Sequence, residues 1–250
     1  MRSSLLKTLG IITLILIAGL LWPACRSGHD STTGASAKAK KDVPNLIAKG
    51  TSEDGLSVSL QNKNIGVKGV RILAETEGVK NVRALALKNN KLGDEGVAVL
   101  AESPTFQHVE KLFLWDNQIT AEGIRSLTGS KHFTQLKELN LMKNKLGDDG
   151  VKVLAQSGKM SEVVLLDLGN NAVGDEGAMA LARSPHLKNL RRLDLFRNKI
   201  GPQGIEAIIT SPNLPNLEYL DLTANAVSFE QISELEKKAT LPNLKFLIIQ

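Results

Sequence analysis

The sequence predicts an α/β solenoid, one strand–turn–helix unit stacked repeatedly on itself. Three observations predict it. Apolar strand segments begin at Gly55, Val82, Val109, Leu136, Val163, Leu190, Leu217 and Leu244, always 27 residues apart and without an insertion. An Asn stands ninth in six of the seven full units, as Asn90, Asn117, Asn144, Asn171, Asn198 and Asn225, and Lys63 alone breaks the series. After each turn the apolar spacing changes from two to that of a helix, as in Val97, Leu100 and Ala101. Seven units fill 55–243, and LKFLIIQ supplies a closing strand.

The chain has 250 residues, a formal charge of +5 and 4% aromatic residues, so its core must be built from Leu, Val, Ile and Ala. The charge is too mild and too scattered to argue for nucleic acid, which needs a clustered basic face. The first residues have a different composition: Arg2 and Lys7 precede LGIITLILIAGLLW, an apolar run of 14 at 9–22. That run is short for a membrane span of about 20 residues and suits a secretory h-region. It ends in PAC, with Cys25 the single cysteine of the chain. The segment Leu21-Trp22-Pro23-Ala24-Cys25 resembles a bacterial lipoprotein signal, matching at Ala24 and Cys25 and departing at Trp22 and Pro23. The resemblance implies cleavage before Cys25, its lipidation, and an exported protein anchored to a bacterial membrane. Arg26 stands where enteric lipoproteins held at the inner membrane carry Asp, which favours the outer membrane in a Gram-negative host. An uncleaved anchor and plain secretion remain alternatives.

The expected organisation is therefore a signal at 1–24, the lipidated Cys and a flexible tether at 25–42, an N-terminal cap at 43–54, and the repeats at 55–250. RSGHDSTTGASAKAKKD is small, polar and without apolar period, as a tether should be. VPNLIAKG, at 43–50, offers one or two helical turns to cover the open end of the stack.

Within each unit positions one, four and six are apolar, as in Leu136, Leu139 and Leu141, so a short strand turns one face inward. Ser103-Pro104, Ser184-Pro185 and Ser211-Pro212 end helices, because Pro disfavours helix in the residue before it. The last unit replaces the glycine at position fifteen with Gln231 and carries a polar helix, SELEKK, which reads as a cap. These residues resemble the leucine-rich repeat, of the long helix-containing type found in ribonuclease inhibitor and Ran GTPase-activating protein. The resemblance covers 55–250 and implies a curved solenoid, with a parallel sheet on the concave side and helices on the convex side. It also implies that the ninth-position Asn side chains form a ladder between adjacent coils.

Paired acids invite a reading as metal ligands or proton carriers: Asp94-Glu95, Asp148-Asp149 and Asp175-Glu176. Their counterparts are Val67-Lys68, Ala121-Glu122 and Pro202-Gln203, which no ligand set would tolerate. The expected role is instead to start the helix they stand in, where acids favour the helix dipole. His29, His108, His132 and His186 show no metal-ligand spacing, and no P-loop, GxSxG, HExxH or CxxC occurs. No cofactor, metal or catalytic residue is expected.

Positions three, five and seven face outward on the strands and vary freely. They present Phe113, Trp115 and Met142 on one part of the concave wall. Elsewhere they present Asp167, Asp194 and Asp221 beside Arg192, Phe196 and Tyr219. Like charges on neighbouring strands are mutually unfavourable, so the acid row could await a cation. The expected function is a non-catalytic, membrane-anchored interaction module, a monomer that binds a protein or peptide on this face. The alternatives are a structural cell-envelope component or, less well supported, a regulator of a partner enzyme in the manner of a GTPase-activating protein.

Overall fold

A computed structural model describes residues 42–249. The expected signal, Cys25 and the tether up to residue 41 lie outside the described residues. Helix α1 (Val43–Gly50) comes first. Seven strand–helix pairs follow: β1 (Ser57–Ser59) with α2 (Gly66–Glu75), β2 (Ala84–Ala86) with α3 (Gly93–Glu102), and β3 (Lys111–Phe113) with α4 (Ala121–Gly129). Next come β4 (Glu138–Asn140) with α5 (Gly147–Gln156) and β5 (Leu165–Asp167) with α6 (Asp175–Ala182). The series ends with β6 (Arg192–Asp194) and α7 (Pro202–Ile209), β7 (Tyr219–Asp221) and α8 (Phe229–Lys238), and β8 (Phe246–Ile248). The eight strands form one parallel sheet in chain order, each residue paired with its equivalent 27 further on, as Leu139 with Leu166. A strand of three residues cannot stand alone; neighbours on both sides supply its hydrogen bonds.

The core lies between sheet and helices. Leu85 and Leu87, Leu112 and Leu114, Leu139 and Leu141 are fully buried, as are Leu100, Ile124, Leu154 and Leu181 from the helices. The N-terminal end is closed by α1, which buries Val43 and Ile47, and by an antiparallel bridge from Thr51 to Val58. At the other end α8 buries Leu235 alone of its residues, and Ser228 with Gln231 makes a reciprocal capping box.

Two polar ladders cross the stack. Asn117 Nδ2 donates to the carbonyls of Leu114 in its own coil and Leu87 in the coil before, while its Oδ1 accepts from Asn90 N–H. Asn90, Asn144, Asn171, Asn198 and Asn225 bond to the preceding coil in the same way. Every such bond points backwards, so Lys63, in the first coil, has no earlier coil to serve. The second ladder was not anticipated. The hydroxyls of Ser130, Ser184 and Ser211 each donate, at 2.5 Å, to the carbonyls of Ala101, Ala155 and Ala182 at the end of the previous helix. Ser184 and Ser211, which precede Pro, therefore do more than end a helix, and Ser130 does the same without a Pro; after Ser103 it is the Thr105 hydroxyl that serves the previous helix, at the Ala74 carbonyl.

The acid pairs stand in the first turn of α3, α5 and α6 as expected, and the first acid of each pair also reaches the start of the next coil, which the sequence reading did not include. Asp148 Oδ1 accepts from Gly174 N–H at 2.6 Å and Gly177 N–H at 3.0 Å, at the start of α6. Asp175 does the same for Gly201 and Gly204, and Asp94 for Thr120 and Gly123. Position twelve of the receiving coil is then extended, with ψ −173° at Thr120, −164° at Gly174 and −174° at Gly201. Glycine at position fifteen is required there, because a Cβ on Gly123 would fall 2.5 Å from Asp94 Oδ1. Coils that follow Val67 or Ala121 receive no carboxylate. Their position twelve is Gly93 or Gly147, at φ +59° and +57°, and the glycine N–H goes to the next coil's Asn carbonyl instead. The first coil, with Gly66 at φ +58°, uses the same left-handed turn. The acid thus accompanies an extended turn in the coil after it; Ser228, which follows Pro202 and receives no carboxylate, is extended too, closed by its own capping box with Gln231.

The choice is passed on once more. After a capped turn the next coil's position ten donates its N–H back across the gap, as Lys145 to Ile119, Lys199 to Val173 and Ala226 to Ile200. After a left-handed turn it takes positive φ, as at Lys91, Gln118 and Ala172.

Candidate functional site

The outward rows of the sheet hold the residues that the fold does not explain. Register places Lys111, Glu138, Leu165, Arg192, Tyr219 and Phe246 side by side at position three. Position five runs Phe113, Asn140, Asp167, Asp194, Asp221 and Ile248. The first half of the face is apolar and basic. Lys88 Nζ stands 3.5 Å above the Trp115 ring, a cation–π geometry, and Lys111 pairs with Glu138 at 2.7 Å. Trp115 Nε1 is buried without a hydrogen-bond partner. Phe113 and Met142 are half-buried on the neighbouring strands.

The second half is built around acids, and they are less free than the sequence suggests. Asp167 and Asp194 are each 6% exposed. Asp167 Oδ1 accepts from Gly169 N–H at 3.0 Å and Oδ2 from Asn140 Nδ2 at 2.8 Å. Asn140 in turn accepts from Met142 N–H, and Asp221 from Thr223 N–H. A polar residue at position five therefore ties down the backbone two residues on, an Asx-type bond that explains why it recurs. Asp194 is held by Arg192, through Nε at 2.8 Å and the second guanidinium nitrogen at 3.2 Å. The expected row of three waiting carboxylates is thus two buried, partnered groups and one part-exposed Asp221.

Burial pushes the Asp167 carboxyl up to about 6, the nearby Asp194 charge adds to this, and the Gly169 N–H, Arg192 and Asn140 oppose it. Burial also raises Asp194, against the pull of Arg192. Arg192 lies 3.8 Å over the Tyr219 ring, and Tyr219 meets Phe246 with ring centroids 6.3 Å apart. Phe246 is 60% exposed, which makes this stack the most prominent apolar feature of the face. Phe196 lies over Gly169 so closely that a Cβ there would fall 2.2 Å from the ring. Phe246 was missed as a site residue; carrying the position-three register one step into the closing strand finds it. The buried state of Asp167 and Asp194 had no such signal, because it depends on how long neighbouring side chains fold over them.

Among the described residues no group of three or more His, Cys, Asp or Glu is placed to hold a metal ion. Among them, too, no helix is long and apolar enough to cross a membrane.

A family model described as Leucine Rich repeat matches residues 80–101, 134–155, 163–182 and 186–208. The four matched stretches, one to a coil, are similar to leucine-rich repeats. Among solved structures, internalin C2 from Listeria monocytogenes is similar at 21% identity with a TM-score of 0.52, covering 84% of this chain and 92% of that one. At that identity the likeness speaks to the fold alone: a parallel-stranded repeat solenoid. A leucine-rich repeat protein from Leptospira interrogans is 26% identical with a TM-score of 0.41. It covers 68% of this chain, which spans 38% of the Leptospira protein's length. No curated protein matches the sequence.

Proposed function

We propose that the protein is a non-catalytic interaction module, tethered to a bacterial membrane through Cys25, which binds a partner protein on the concave face of its repeats. The observation that carries this reading is the solvent-facing stack Arg192–Tyr219–Phe246, which no structural requirement of the coil explains. Arg, Tyr and Trp dominate interface hot spots, and Trp115 with Lys88 provides a second anchor on the same face. The scaffold positions four, six and nine are all consumed in packing and ladders, so the outward rows are where residues are free to be chosen for a partner.

Cross-linking of wild type and of a Trp115→Ala/Tyr219→Ala/Phe246→Ala variant to envelope fractions tests the face. Partners captured by wild type should be lost or strongly reduced in the variant, whose fold is checked by circular dichroism. Equal capture of every partner would overturn the reading. The anchor is tested separately: labelling with radioactive palmitate should disappear in Cys25→Ser, and labelling that survives would sink the lipid attachment at that residue.

A further inference from the structure

Acids elsewhere on the sheet each have a cation of their own. Glu110 has Arg83 and Lys137, Glu138 has Lys111, and Glu218 has Arg191 and Lys245. The row Asp167–Asp194–Asp221 differs. Among the described residues its one ion pair is Arg192 with Asp194, so three carboxylates share a single guanidinium. Asp221 is the open member of the row, half-buried, with Oδ1 accepting from Thr223 N–H at 2.9 Å. Its surroundings are apolar on the far side, where Ile248 is its partner on β8 and Tyr219 and Phe246 stand one row over.

We infer that this half of the concave face docks a basic segment of a partner protein, whose Lys or Arg head seats at Asp221 beside Asp194 while its methylene stem lies on Tyr219, Phe246 and Ile248. The inference rests on the concave face being the partner surface and names the chemistry of what docks there. Charge complementarity selects the occupant. Strands about 4.8 Å apart put all three carboxylates within roughly one Debye length of a cation at Asp221, so the uncompensated charge acts together. Lys and Arg are also the side chains that bury a long apolar stem while keeping a charged head outside. The wall already accepts this chemistry from within the chain, since Arg192 lies on one face of Tyr219.

Docking of a cation is coupled to a proton. The groups facing Asp167 are Asn140 on β4, with Glu138 there held by Lys111, Arg192 and Asp194 on β6, and Asp221 and Tyr219 beyond on β7. With the Asp167 carboxyl pushed up to about 6, chiefly by burial, an arriving positive charge favours its ionised form. Affinity therefore rises as pH rises through that value.

The test is a titration of the full chain, purified in detergent, with the peptide acetyl-Gly-Arg-Gly-Arg-Gly-amide and its Glu counterpart, read by amide NMR shifts. The arginine peptide should give saturable shifts confined to β6–β8 and their turns, and the acidic peptide none. Binding should weaken by about fivefold in Asp221→Asn, whose amide oxygen still accepts from Thr223. It should weaken about threefold from pH 7.5 to 5.5 in wild type and lose that dependence in Asp167→Asn. Absence of shifts on β6–β8, equal response to both peptides, or an unchanged affinity in Asp221→Asn would overturn the inference. If the arginine peptide fails while the Trp115→Ala/Tyr219→Ala/Phe246→Ala variant still loses its cross-linked partners, the cation chemistry falls and the partner surface stands.

Discussion

Acids occur on both sides of this solenoid, and they do different things. On the turn side Asp94, Asp148 and Asp175 spend their oxygens on backbone N–H groups of the next coil. On the concave side Asp194 faces a guanidinium, and Asp221 faces one backbone N–H and solvent. What separates the two is the supply of donors. A helix start offers several N–H groups without partners, and a carboxylate placed there is absorbed into the fold. A parallel sheet has spent most of its N–H groups on its neighbours and leaves a face carboxylate one backbone donor two residues on, Gly169 for Asp167 and Thr223 for Asp221, so its other oxygen is left to seek side chains or a partner. The same residue type is scaffold in one place and available chemistry in the other.

The comparison is broken most severely by attacking the scaffold between the two sides. Asn117→Ala would orphan the N–H groups of Asn90 and Leu92 within the buried ladder, and would take one of two donors from each of the Leu87, Leu114 and Trp115 carbonyls, which keep Asn90 Nδ2, Asn144 Nδ2 and Asn89 N–H. At about 1–3 kcal/mol per buried group left unpaired, and allowing for water entering the gap, the expected loss is about 3–5 kcal/mol. Asn225→Ala, in the last full coil, removes fewer bonds and should cost less than half of that in urea unfolding. Equal losses at the two positions would show that the ladder is not cumulative along the stack.

The concave acid comes next in size. Asp167 has its folded carboxyl raised to about 6, above the ordinary unfolded value, so the folded state holds the proton more tightly. Stability from this group is fully present below the unfolded value and is lost as pH rises towards and through about 6. Between pH 4 and 7 the stability of Asp167→Asn relative to wild type should therefore improve by on the order of 2 kcal/mol, whatever its offset at pH 4. A difference that stays flat with pH would mean that the carboxyl is not strained by burial. The turn-side acid behaves differently. Asp148→Ala strips the acceptor from two N–H groups at the start of α6 and should cost about 1–2 kcal/mol at pH 7.

Much of this was legible in the sequence because it repeats. The strand starts at 27-residue intervals fix the sheet register, and the Asn series marks the turn side, since both are set by period rather than by distant contacts. The backward direction of the acid caps was hidden. Asp148 is 26 residues from Gly174, and nothing in a single unit says that its carboxylate looks to the next coil rather than to its own helix. The alternation was nevertheless written there: Asp94 precedes Thr120, Asp148 precedes Gly174 and Asp175 precedes Gly201, whereas Val67 and Ala121 precede Gly93 and Gly147. Reading positions twelve and thirteen of successive units as a pair would have shown it. The state of the concave acids was not written in any such pattern, because Arg192 and Asn140 reach Asp167 and Asp194 through side-chain conformations that no spacing encodes.

The smallest effect is the most discriminating, because it tests whether one acid sets the next turn. Gly147 holds φ +57° in a coil that follows Ala121 and receives no carboxylate. Gly147→Thr alone puts a β-branched residue in the left-handed region and should cost about 1–2 kcal/mol. Ala121→Asp alone should change little, since the receiving turn is already closed by Gly150 N–H bonding Leu146 carbonyl at 3.0 Å. Together they recreate the pair Asp94–Thr120, in which the Thr120 hydroxyl and N–H both donate to the carboxylate. The double variant should then recover most of the loss, with a coupling of about 1 kcal/mol in a double-mutant cycle. Additive effects would mean that the acid follows the turn instead of specifying it, and that the difference between the two kinds of coil is made elsewhere in the unit.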